Sequence, residues 1–221
     1  DTYIVNQRWV NYQYNPDGSK KKKPPTCISL NSRFTYSLDG TFGQEVFLET
    51  PLTMYETTKM TGIEDIRLFN FNYETYYNGT VLDDKKICST IGCYSLKSNK
   101  LIDTIIPFKS TFYDHYQPEK NWSFVTHDNK LKIIHKWYPL TLCVPNFINH
   151  TLDLEEYRYN MPEYFKEARG SSPGIRHPEN KEIWFLLHKV QSSRDNLYYS
   201  PPTKYISISN NSINAFNIIW L

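Results

Sequence analysis

The chain has 221 residues, enough to bury a core as one large domain or two small ones. Its 22% charged residues and net charge of +2, with a pI near 8.2 and no basic stripe interleaved with aromatics, argue against nucleic acid as a partner. No apolar run is long enough for a helix to span a bilayer.

Tyr (18 residues) and Phe (12) outnumber Gly (8), and Thr, Ile and Val are frequent, so the composition favours strands. In chain order, "YIVNQRWVNYQYN" from Tyr3 is β-branched and aromatic and predicts a first strand that carries Arg8. It ends at Asn15-Pro16-Asp17-Gly18, a turn in which Pro16 presets φ and Gly18 supplies a permissive exit. Lys20 to Lys23, followed by Pro24 and Pro25, reads as a solvated loop. Next, "TGIEDIRLFNFN" places Glu64, Asp65 and Arg67 at the mouth of an apolar segment with Leu68, Phe69 and Phe71, the pattern of a buried strand. "KLKIIHKWYPLTLC" predicts two short strands broken near Pro139. The best helix candidate lies between Leu152 and Ala168, where Pro162 limits it to one or two short turns. "KEIWFLLHKV" predicts a strand with Ile183, Phe185 and Leu187 on one face and Trp184, Leu186 and His188 on the other, covered on both sides.

Cys27, Cys88, Cys93 and Cys143 lack the paired spacing of a zinc site. They read as free buried thiols, with a Cys88–Cys93 contact across a tight turn as the alternative. The histidines have no metal-ligand spacing, so no metal site is expected. Motifs for a serine nucleophile elbow, a dinucleotide fold or a P-loop are absent from the sequence. The chain begins at Asp1 without a Met or a signal-peptide pattern, which reads as a processed chain or, as the preferred reading, a piece cut from a longer protein; localisation is left unassigned.

Polar clusters recur along the chain. Arg8 is followed roughly 56 residues later by Glu64-Asp65-Ile66-Arg67, after another ~55 by Lys120-Asn121-Trp122, and after ~50 by Arg169-Gly170-Ser171-Ser172. Each precedes an apolar strand. Such a period predicts a β-propeller, in which the innermost strand of every blade lines a central channel and the clusters surround one funnel.

"GIEDIRLF", Gly62 to Phe69, resembles the Gly-x-Glu-Asp-Pro-Arg motif of the mannoside phosphorylase family of glycosidase-like five-bladed β-propellers. "EKNWSF" with "KLKIIHKWYP", and "RGSSPGI" leading to "KEIWFLLHKV", are similar to later blades of that family. The order of "RWVNYQ", "EDIRLF", "KWYPL" and "RGSSP" is similar in style to uncharacterised propeller domains of large DNA virus proteins, and a viral protein located in the host cytoplasm is one reading compatible with that resemblance. Ile66 stands where the family has Pro. The chain is also shorter than the roughly 250 residues that five blades of ~50 need, so about four recognisable blades are expected in a single domain over residues 1–221.

What the resemblance implies is a carbohydrate-active domain of glycoside hydrolase or phosphorylase type. Glycosidic bond cleavage needs an acid near the leaving oxygen and a second carboxylate or an anionic nucleophile. The resemblance assigns the acid to Asp65. Arg67, Lys120, Lys136, Arg169 and His188, with Glu64 and Asn121, become candidates for holding substrate or phosphate through charge-assisted hydrogen bonds. Inorganic phosphate is then the possible co-substrate, and no other cofactor is expected. Strand alternation predicts that Asp65 and Arg67 share one face while Glu64 turns aside; an ion pair of Asp65 with Arg67 that only closes the fold competes with the functional reading. The alternative function is a glycan-binding or protein-interaction propeller without catalysis, assisting a fused glycosyltransferase.

Overall fold

The structure is a computed structural model and describes residues 2–15, 20–22, 24–49, 60–83, 86–101, 107–111, 120–127, 129–159, 161–170, 172–176, 179, 182–192, 197–199, 204–208 and 219–220. The expected turn at Asn15 to Gly18 falls largely outside these residues. Nearly all regular structure is β. The chain divides into two compact units, Asp1–Pro107 with Tyr116–Lys120, and Phe108–His115 with Asn121–Leu221.

The first unit holds β1 (Thr2–Val10), β2 (Gln13–Tyr14), β3 (Lys20–Lys22), β4 (Cys27–Ser37), β5 (Val46–Leu48), β6 (Met60–Thr61), β7 (Glu64–Phe71), β8 (Glu74–Asp83) and β9 (Lys86–Cys93). β1 and β4 are rich in β-branched and aromatic residues, which suit a pleated surface, and pair antiparallel from Thr2↔Ser37 to Val10↔Ser29. β5 adds to the other edge of β4. Lys20 to Lys22 form a strand paired with β2 rather than a loop, because the lysines close a hairpin on Gln13 and Tyr14.

β7, β8 and β9 make a second antiparallel meander. Its first hairpin turns through Asn72 (φ 49°) and Tyr73 (φ 66°), the left-handed pair that matches the twist of the flanking strands. β7 pairs with β8 alone among the described strands, so Leu68, Phe69 and Phe71 are half-buried rather than buried. The apolar weight sits one position before the strand, in Ile63, which packs with Leu48, Tyr77, Val81, Tyr94 and Leu101. Asn6, Arg8, Asn31 and Arg33 share one face of the β1–β4 ladder by register. That face meets the second meander through polar contacts, including Asn31 Nδ2 donating to the Ile63 carbonyl (3.0 Å) and Tyr94 Oη to Asn6 Oδ1 (3.1 Å).

In the second unit are β10 (Pro107–Ser110), β11 (Ser123–His127), β12 (Lys130–Trp137), β13 (Leu140–Asn146), β14 (Thr151–Tyr159), a 3-10 turn (Glu163–Glu167), β15 (Ala168–Gly170), β16 (Ile175–Arg176), β17 (Ile183–Ser192), β18 (Leu197–Tyr199), β19 (Lys204–Ile208) and β20 (Ile219–Trp220). β11 to β14 form an antiparallel meander, with β10 parallel to β14. The expected break at Pro139 is the turn between β12 and β13, across a cis Tyr138–Pro139 bond. A second meander runs β15, β17, β19 and β20. On β17 the apolar alternation holds on one face only: Ile183, Phe185 and Leu187 are buried, whereas Trp184 and Leu186 are half-buried.

Two further expectations are corrected in part. The stretch from Leu152 to Tyr159 is strand, not helix, since buried Leu152 and exposed Asp153 alternate against β13; only Glu163–Glu167, after Pro162, makes a single turn. All four cysteines are free, but Cys93 is exposed. Cys88 and Cys93 lie on the same strand, opposite Val81 and Tyr76, with no turn between them.

Candidate functional site

The carboxylate pair is positioned by a loop that allows little variation. Gly62 has φ 89°, and a Cβ there would stand 2.0 Å from the Ser29 carbonyl oxygen, so only glycine lets the chain pass so close to β4. Ile63 follows, wholly buried. It anchors the entry to β7 from below while Asn31 holds its carbonyl. These two contacts fix where residue 64 begins.

β7 then departs from a regular strand. Its register on β8 shifts between Glu64↔Thr80 and Arg67↔Asn78, which inserts one extra residue, and Asp65 takes a left-handed φ of 53°. Period-2 alternation therefore fails over these residues. Glu64 does not turn aside, and both carboxylates meet the same guanidinium. Arg8 Nη1 donates to Asp65 Oδ1 at 2.6 Å and lies 3.9 Å from Glu64 Oε2. Arg8 Nη2 donates to Tyr12 Oη (3.4 Å). Tyr12 Oη and Ser29 Oγ both donate to Glu64 Oε1, at 3.2 and 3.3 Å.

Burial grades across the cluster. The Glu64 side chain is 18% exposed, Arg8 29% and Asp65 49%. Glu64 is thus the inner, satisfied member and Asp65 the outer one. Arg67 is half-buried; burial pushes its guanidinium below the ordinary range and the charge of Asp65 pulls it back up. The guanidinium of Arg8 sits between the two carboxylates, so they form one unit rather than two groups facing each other across a sugar ring.

The remaining candidates fall in other places. Lys120 is exposed, just before Asn121. Asn121 takes φ 64°, and a Cβ on Gly170 would stand 2.6 Å from the Asn121 carbonyl and 2.2 Å from Ser123 Oγ. The Lys120-Asn121 and Arg169-Gly170 segments expected from separate repeats are therefore joined at Asn121 and Gly170. Arg169 is exposed and donates to the carbonyls of Ala168 (3.0 Å) and Lys166 (3.4 Å), which folds it onto its own chain. His188 lies opposite Arg169 in the β15–β17 ladder, and its side chain falls outside the described residues, as does Ser171. Lys136 is half-buried at a register shift in β12. Its charge, after burial, contributes to holding the neighbouring His135 down at about 4. Among the described residues no group of three or more His, Cys, Asp or Glu is placed to hold a metal ion, and no helix is long and apolar enough to cross a membrane.

Tyr12 and Ser29 were not assigned to the site from the sequence, and Arg8 was placed among the recurring polar clusters without a role. The one available signal was the spacing. Arg8 and Asp65 are 57 residues apart, the period read as a repeat, and they touch because neighbouring repeats do. Chemically, the cluster offers an outer carboxylate with one oxygen gripped by a guanidinium, backed by an inner carboxylate with its own hydroxyl donors.

No protein-family model matches the chain, and no curated protein does. Solved structures do. A glycosyl hydrolase from Bacteroides ovatus aligns with 98% of the chain at TM-score 0.61 and 14% identity. A structure from the GH130 family of mannoside phosphorylases, which contains glycoside hydrolases that target β-1,2-mannosidic linkages in Candida mannan, aligns with 97% at TM-score 0.60 and 14% identity. The β-1,2-mannobiose phosphorylase from Listeria innocua aligns with 95% at TM-score 0.50 and 12% identity. The chain spans 66%, 65% and 66% of the lengths of these three proteins. At such identities the likeness establishes the fold: this chain is an all-β propeller of the glycosidase type.

Proposed function

We propose that the chain is a carbohydrate-active propeller domain that acts on a glycosidic bond, with Asp65 as the proton donor. The observation that carries this reading is the bulge at Asp65, which turns an outer, half-exposed carboxylate out of the strand in a fold of the glycosidase type. A group meant only to close the fold would be expected deeper, where Glu64 is. Since Arg8 fills the space between Glu64 and Asp65, Glu64 does not serve as the opposing carboxylate that hydrolysis requires. An external anion supplies that role most simply, and inorganic phosphate fits the half-buried cation Arg67 beside Asp65. Mannosides are the substrates to try first, because proteins of like fold act on them.

A second reading, glycan binding without turnover, is favoured by the 2.6 Å contact that occupies Asp65 Oδ1. Incubation of the protein with β-1,2-mannobiose, with and without phosphate, separates the two. The first reading predicts phosphate-dependent release of a mannose 1-phosphate. Calorimetric binding that is indifferent to phosphate and yields no product supports the second.

A further inference from the structure

We infer that Arg8 is a positioning residue, which holds Asp65 in its left-handed bulge conformation and so sets where its carboxylate stands. Aspartate at φ 53° is not in its preferred backbone region, and such conformations persist where the surroundings over-determine them. The surroundings here are specific. Gly62 and Ile63 fix the chain on one side of the bulge, through the backbone and the core. The Asp65 side chain is held by Arg8, at 2.6 Å, and Arg8 is itself held by its second nitrogen on Tyr12. Tyr12 is in turn buried and bonded to Glu64. The guanidinium thus links the outer carboxylate to the less exposed inner one from two directions. This planar, two-pronged link is geometry that an ammonium cannot reproduce. Glu64 acts here as the counter-anchor, tied by Tyr12 and Ser29 so that Arg8 does not follow Asp65 outward.

The kinetic half of this inference rests on the reading of Asp65 as the working acid; the structural half does not. Thermal unfolding of Arg8→Met, Asp65→Asn and the double variant reads the structural half, and Asn keeps the backbone at 65 because it tolerates the left-handed region. Coupling predicts that the midpoint shifts are not additive, the double variant resembling Arg8→Met alone. Turnover of β-1,2-mannobiose with phosphate reads the other half. Arg8→Met is expected to lower kcat by about tenfold or more with a smaller change in KM, Arg8→Lys to recover only part of it, and added guanidinium to restore Arg8→Ala in part. In the Asp65→Asn background Arg8→Met should cost nothing further. Additive midpoint shifts overturn the inference, as does a normal kcat in Arg8→Met. If the shifts couple but the unaltered protein turns nothing over, Arg8 still positions Asp65 and it is the enzymatic reading that fails.

Discussion

At the scale of single residues, the cost of building this site is set by backbone positions that admit few side chains. Gly62→Ala would drive a Cβ into the Ser29 carbonyl at a left-handed φ. It should destabilise by roughly 2 kcal/mol or more, measurable by denaturant unfolding, and should blunt glycan binding through the displaced loop. The turn residue Tyr73 is the opposite case. It is fully exposed with φ 66°, so Tyr73→Gly creates the favoured Asn-Gly turn and should stabilise by about 0.5 kcal/mol without touching the site. The charged triplet was legible in "GIEDIR" as something more than surface charge. Its internal geometry was not, because alternation assumes a regular strand and nothing local in the sequence announces a bulge. Arg8 was legible only through the repeat spacing and not as the direct partner of Asp65, because a contact across 57 residues leaves no local pattern.

At the scale of elements, strands were readable where composition and breakers agreed. The pairing of β12 with β13 follows from apolar runs on either side of Pro139, and the lone 3-10 turn follows Pro162. β14 was misread because "LDLEEYRY" fits both periods and only pairing with β13 decides between them. That same pairing brings Glu155 to the buried Lys132, whose Nζ lies 2.7 Å from Glu155 Oε2 with the lysine side chain 2% exposed. The pair spans β12 and β14. Removing the acid takes the anion away from a buried cation, so Glu155→Ala should destabilise by about 3 kcal/mol, whereas a Lys132→Met, Glu155→Leu double replacement should cost far less. Chemical unfolding of the two variants checks this.

For the whole molecule, stability should answer to pH through a buried histidine. His135 is buried against Trp122, with ring centroids 5.6 Å apart. Burial, then the charge of Lys136, holds it at about 4 against an ordinary 6.5. The unfolded chain therefore takes up this proton first as pH falls. The stabilisation is fully present above about 6.5, is lost progressively below it, and levels off below about 4, at a total on the order of 3 kcal/mol. His135→Gln should flatten that limb of a melting-temperature profile.

We propose that this propeller works on glycans through Asp65. The most direct test is phosphate-dependent release of a sugar 1-phosphate from β-1,2-mannobiose by the unaltered protein and by Asp65→Asn, with the melting temperature of each recorded alongside. Release by the first is expected, with a loss of at least about a hundredfold in the second and melting temperatures within a few degrees. Turnover that survives in Asp65→Asn would contradict the proposal.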